Sequence, residues 1–223
     1  MSKKQAAVRF LELFGAVLEI GAEKDPALAK FAAALQESCD GGIGDVAGDK
    51  PEAHALTFLA DALAAVPHDC DLADALRSAA AAGAWYAPYH SAEVGADFAD
   101  GLVSSEIAGA RGLVRPDGFE AGHILVAPNV TYPLHDHVAD ELYYLVSGTA
   151  EFQNGFNGEP QRATPGEYSV IPSGMPHRLV TGDAPVLIVY VWTGQIHCDV
   201  LWWEHMEGDL WRRYAPKYRE HVT

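Results

Sequence analysis

The sequence predicts a mainly-β fold, a barrel or sandwich of short strands, with an α-helical region in front of it and a helical tail behind. Two observations carry this. The texture changes near residue 84, from Ala- and Leu-rich segments with helical spacing to short apolar runs broken by Gly, Pro, Asn and Asp. The chain also has 223 residues, 49% of them hydrophobic, which suits one domain with an appended subdomain and a sizeable core. The expected division is an α-helical region over 1–84 and a β-barrel with its helical tail over 85–223.

Ala7, Leu11, Phe14 and Leu18 recur at one-face helical spacing. Asp25-Pro26 reads as an N-cap with proline at the first helical position, and Leu28, Phe31 and Leu35 follow before Gly41-Gly42 stops the segment. Pro51 opens a third helix with Leu56, Leu59 and Leu63 on one side, ended by Pro67. Asp69 or Asp71 caps a fourth, closed by Gly83. Strand-like runs then follow: Ile124–Val126, Leu142–Val146, Ser169–Ile171, Arg178–Val180 and Val186–Trp192. The stretch from Leu201 to Glu220 reads as a helix docking through Trp202, Trp203, Met206, Leu210 and Trp211.

Bulk chemistry narrows the class. A formal charge of −16 repels polyanions, so nucleic acid is a poor partner. No apolar run approaches the ~20 residues of a membrane span, and Arg9, Glu12 and Glu19 interrupt any leader-like core. Cys39, Cys70 and Cys198 are odd in number and contain no CxxC, so buried, inert thiols in a reducing cytoplasm are expected. The helical half could lid a pocket, pair subunits into a homodimer or cover a sheet face.

The chemistry concentrates at His135-Asp136-His137, Glu141 and His177. In a strand His135 and His137 point the same way, while Asp136 and Val138 point the other. Val138-Ala139-Asp140 is short enough to turn into the next strand, which Glu141 begins beside the histidine pair. Tyr143 shares the face of Glu141; Leu142, Tyr144 and Val146 take the opposite one. Pro172-Ser173-Gly174 is a tight turn that can aim His177 back into the barrel. The ligand set is then His135, His137, Glu141 and His177, compatible with one divalent transition metal: iron, manganese, nickel, cobalt or zinc. Asp136 and Asp140 read as solvated turn acids. His123 could border the pocket, but a lone His is expected to be simply packed or solvated; His54, His68, His197, His205 and His221 read as surface or post-barrel residues.

These spacings form two blocks. The first reads HxHxxxExxxxxxG from His135 to Gly148, the second GxxxxxPxGxxH from Gly166 to His177. They resemble the paired motifs of the cupin superfamily, which implies a double-stranded β-helix, or jelly-roll barrel, over about residues 85–200. Asn129 stands where the first block is usually preceded by Gly, and it tolerates a left-handed conformation nearly as well. Thr181 stands where an Asn is expected. The run Tyr132-Pro133-Leu134-His135-Asp136-His137 with Glu141-Leu142-Tyr143 further resembles the cupin-type dimethylsulfoniopropionate (DMSP) lyases, which form dimethyl sulfide and acrylate. That resemblance implies the same four metal ligands, Tyr143 as catalytic base, Tyr132 as a second active-site tyrosine and Trp192 as a substrate-pocket aromatic.

Independent chemistry supports the assignment. Elimination must remove a weakly acidic proton next to a carboxylate, and a metal on that carboxylate stabilises the developing charge. Tyr143 is the candidate base, its phenolate favoured by a nearby cation. Tyr190 and Trp192 alternate on one strand and are candidates for caging the small-molecule cation. The alternatives are an iron-dependent cupin dioxygenase with the same ligands, or a non-enzymatic small-molecule-binding cupin.

Overall fold

The computed structural model describes residues 1–36, 51–67, 71–207 and 210–214. The helices are α1 (Lys3–Ala22), α2 (Ala29–Leu35), α3 (Leu59–Ala64), α4 (Asp71–Ala82), α5 (Ser91–Val94) and α6 (Ala96–Gly101). The strands are β1 (Trp85–Tyr86), β2 (Leu102–Ala108), β3 (Phe119–Val126), β4 (Thr131–Asp136), β5 (Ala139–Ser147), β6 (Ala150–Asn154), β7 (Gln161–Ala163), β8 (Tyr168–Ile171), β9 (His177–Thr181), β10 (Val186–Gly194), β11 (Leu201–His205) and β12 (Trp211–Tyr214). Two six-stranded antiparallel sheets result, in the orders β1-β2-β3-β10-β5-β8 and β12-β11-β4-β9-β6-β7. This is the mainly-β, cupin-like architecture the motifs imply.

The helices start where local chemistry permits. Ser2 and Gln5 form a reciprocal capping box on α1, satisfying backbone donors that would otherwise lack partners. Asp25 accepts from the Ala27 amide at 3.0 Å and opens a 3₁₀ turn with Pro26 in its first position. The expected stripe of Ala7, Leu11, Phe14 and Leu18 is buried. It joins Phe31, Leu76 and the outward residues of the first sheet, Leu187, Val189 and Val191 among them, in one apolar cluster. The helical region therefore covers a sheet face. Tyr168 fastens the layers by donating to Asp25 at 3.0 Å, and Lys30 pairs with Asp140 at 2.7 Å.

The uninterrupted apolar run of β10 has a simple cause: it is buried on both sides. Leu187, Val189 and Val191 face the helices, while Val186, Ile188 and Tyr190 face the barrel interior. The motif turns also behave as chemistry dictates. Asn129 adopts φ 57°, the left-handed conformation expected of it in place of glycine. Thr181 Oγ1 donates to Ala127 O at 2.7 Å and accepts from the Val130 amide at 2.9 Å, tying β9 to the entrance of β4.

Four expectations need correction. Leu201–Glu220 does not begin a helix: Leu201–His205 and Trp211–Tyr214 form a hairpin on the edge of the second sheet, with Trp202 opposite His135. Adjacent Trp202 and Trp203 serve opposite faces, a period of two that helical counting misreads, and the edge of β4 offers backbone groups that a strand satisfies. Strand β5 starts at Ala139 rather than Glu141, because Ala139 and Asp140 already pair with Gly194 and Thr193. Asp136 is buried, not solvated; it accepts from Trp203 Nε1 at 2.7 Å and pairs with Arg213. Cys198 is only partly buried and lines the main cavity. Gly41-Gly42, Cys39, Cys70, His68, Asp69, His221 and the remainder of the expected tail lie outside the described residues.

Candidate active site and metal centre

Strand β4 ends at Asp136, so His135 leaves from the strand and His137 from the two-residue turn into β5. His177 opens β9 directly opposite His135, and the two rings lie 4.0 Å apart. His135, His137 and His177 are buried, each offering a ring nitrogen within 4.8 Å of the others. Glu141 joins them from β5. Its Oε2 is 3.0 Å from His137 Nε2 and 3.2 Å from His177 Nε2.

The backbone sets the tautomer of each imidazole. Nδ1 of His135 contacts Pro133 O at 2.7 Å, Nδ1 of His137 contacts Ala139 O at 3.0 Å, and Nδ1 of His177 contacts Met175 O at 2.9 Å. A carbonyl only accepts, so each Nδ1 carries the proton and donates it. In neutral imidazoles every Nε2 then presents a lone pair inward, which is how backbone carbonyls prepare histidines to bind a metal. Nε2 of His135 is buried without a hydrogen-bond partner, a costly state for a polar atom, and Nε2 of His177 faces only the Glu141 carboxylate. A divalent cation would satisfy both nitrogens, and the donor set, with the Glu141 carboxylate, fits one.

Electrostatics act differently on His135 and His137. Burial raises the Glu141 carboxyl, but His137 and His177 outweigh it and hold the group below the usual carboxylate range. Burial lowers His137, and Glu141 reverses this and raises it. Burial, then His177, push His135 down, so its imidazole stays neutral.

A cavity of about 880 Å³ opens beside the cluster, and Glu141, Tyr143, Tyr132, Tyr190 and Trp192 all form part of its wall. The inward face is organised in rows. Trp192 lies opposite Glu141 on one side and Glu120 on the other; Tyr190 lies between Tyr143 and Gly122. The expected Tyr143 is thus brought to Glu141's face. Tyr132 stacks on His135 with centroids 4.2 Å apart and planes at 11°. Trp192 is turned partly toward the ligands: Nε1 donates to Glu141 Oε1 at 2.6 Å, and the ring sits 4.4 Å from that of His137. Tyr190 donates to Glu120 at 2.8 Å. Burial, and next the Glu141 carboxylate, push the Tyr143 phenol up. A bound cation would reverse the sign of that local field.

A sequence profile of the dimethylsulfoniopropionate lyase family matches residues 21–188, most of this chain. The chain belongs to that family. Over 124 residues it is 33% identical to dimethylsulfoniopropionate lyase DddQ of Ruegeria pomeroyi, covering 55% of this chain and 61% of that protein. Over 90 residues it is 36% identical to a putative dimethylsulfoniopropionate lyase, DddL, of Cereibacter sphaeroides, covering 40% of this chain and 37% of that one. The chain therefore spans about three fifths of the first relative and less of the second. The crystal structure of DddQ from Ruegeria pomeroyi superposes with a TM-score of 0.67 at 28% identity, over 86% of this chain and 93% of that one.

In this member of the lyase family the cavity also holds residues that strand patterning did not single out. Tyr89 reaches in from the segment after β1, and its hydroxyl makes a short hydrogen bond with that of Tyr132. Trp202 packs on His135 at 5.4 Å and on Tyr89 at 5.1 Å. Glu120 enters from β3. An acid inside an apolar strand is the one sequence signal that could have marked it. His123 of the same strand points the other way, fully buried between Phe10 and Trp85. Among the described residues no helix is long and apolar enough to cross a membrane.

Proposed function

We propose that this chain is a metal-dependent lyase that cleaves dimethylsulfoniopropionate to dimethyl sulfide and acrylate by β-elimination. The observation that carries the reading is the single inward face shared by Glu141 and Tyr143, beside three imidazoles whose Nδ1 atoms are held by backbone carbonyls. Family membership supports the substrate class.

His135, His137, Glu141 and His177 would hold one divalent transition metal. When bound, it supplies positive charge to the substrate carboxylate and to the enolate-like charge that grows on it. Tyr143, as the phenolate that such a cation would favour, takes the proton from Cα. The electron pair released forms the Cα–Cβ double bond, and the Cβ–S bond breaks with its pair left on sulfur. Dimethyl sulfide departs neutral, so no acid is required at the leaving group. Tyr132, held by Tyr89 and stacked on His135, orients the substrate and closes the site to water. Tyr190 and Trp192 offer ring faces to the sulfonium.

The test is headspace gas chromatography of metal-loaded protein with dimethylsulfoniopropionate, with acrylate measured in the same vial, in air and under strict anaerobiosis. Equimolar dimethyl sulfide and acrylate in both atmospheres are expected. Absence of both products would remove the lyase reading, and a requirement for oxygen would favour a dioxygenase.

A further inference from the structure

Tyr190 does not reach Glu120 by chance. Its ring crosses directly over Gly122, where an added Cβ would come within 2.9 Å of Tyr190 Cε1 and 2.2 Å of the Ser105 carbonyl oxygen. Glycine clears the path, and the hydroxyl arrives 2.8 Å from Glu120 Oε1. The result is a carboxylate fixed on the cavity wall with an aromatic ring beside it and the Trp192 indole next to it in register. Glu120, Trp192 and Glu141 occupy one row across β3, β10 and β5. At ~4.8 Å per strand the two acids are ~10 Å apart at their backbones. A substrate carrying its carboxylate near Glu141 and its onium centre two methylenes away would lie along this row.

Burial, and next Glu106, push the Glu120 carboxyl up to about 7, while the Tyr190 hydrogen bond and Arg111 pull it back; a cationic head group beside it would favour its ionised form. We propose that Glu120, positioned by Tyr190, is the counter-charge that selects a cationic head group over a neutral one. This rests on the substrate reading given above, since the head group is then the sulfonium. Arg111 and Glu93 also line the cavity. The Arg111 guanidinium lies 4.8 Å from the centroid of the Tyr86 ring, and its backbone amide donates to Glu106 at 3.0 Å.

Two probes that cannot undergo β-elimination isolate the effect: dimethylsulfonioacetate and (methylthio)acetate, whose sulfur carries no charge. Calorimetric titration of metal-loaded wild type should show at least about tenfold tighter binding of the sulfonium, the scale of a desolvated onium contact. E120Q keeps the acceptor for Tyr190 and should bring the two affinities within about twofold. E120D should recover part of the preference, and E93Q should retain it. For dimethylsulfoniopropionate turnover, E120Q should raise KM about tenfold with kcat little changed. The assignment fails if wild type shows no preference, if E120Q keeps it, if E93Q is the variant that loses it, or if E120Q binds the sulfonium acid more tightly, which would mean that Arg111 holds the carboxylate at that end. A wild type without that preference overturns the assignment even if E120Q does not fold. An E120Q variant that loses the preference, beside a wild type that shows it but releases no dimethyl sulfide, would sink the lyase reading and leave Glu120's role standing.

Discussion

Trp192 Nε1 donates to Glu141 Oε1 at 2.6 Å, leaving Oε2 to face His137 and His177. An aromatic expected only to touch substrate thus orients one of the four candidate ligands. Trp192→Phe keeps the ring and removes the donor. Metal affinity should drop about tenfold, as for other outer-shell partners, measured by competition with a chromogenic chelator. Unchanged affinity would show that the indole has no orienting role.

Tyr143→Phe and His177→Ala should separate base from ligand. The first should retain stoichiometric metal by elemental analysis and lose about 10²-fold or more in kcat, the usual contribution of a positioned general base. The second should lose the metal itself. A Tyr143→Phe enzyme releasing dimethyl sulfide near the wild-type rate would rule out the phenol as base.

His123 should make the fold acid-sensitive. Desolvation alone lowers its pKa from 6.5 to about 3, and both ring nitrogens lack partners. Between those values the unfolded chain binds a proton that the native protein refuses. Stability is therefore complete above pH 6.5 and falls as pH drops toward 3. Between pH 7 and pH 5 the loss from this group is about 2 kcal/mol. His123→Phe, packed against Phe10 and Trp85, should remove that component. Urea unfolding of both proteins at the two pH values measures it; equal pH sensitivity would be the contrary result.

Gly122→Ala should destabilise by about 2 kcal/mol or more, the scale of overpacking in a tight core. The Ser105 carbonyl that the new Cβ meets at 2.2 Å is backbone and cannot rotate away. Denaturant midpoints check this. A variant as stable as wild type would mean that β2 can shift.

Much of this protein was legible in one dimension because its signals are local. Asp25-Pro26 caps and opens a turn through atoms two residues apart. Strand alternation puts Glu141 and Tyr143 on one face and Leu142 and Val146 on the other, whatever lies beyond. The His-x-His and Pro-x-Gly-x-x-His blocks mark the candidate ligands because turn geometry and side-chain chemistry suit those residue types there. Other features were settled only in three dimensions. Trp202-Trp203 is equally apolar as helix or strand, and only the open edge of β4 selects the strand. Asp136 looks like a turn acid until Trp203 and Arg213 arrive from the hairpin to neutralise its burial. Tyr89 meets Tyr132, and Tyr190 meets Glu120, across 43 and 70 residues of chain. Sequence alone determined which groups could bind a cation and which strand faces they occupy. Tertiary structure decided what stands opposite them, because pairing between distant strands depends on backbone register and shared burial, which no short-range pattern encodes.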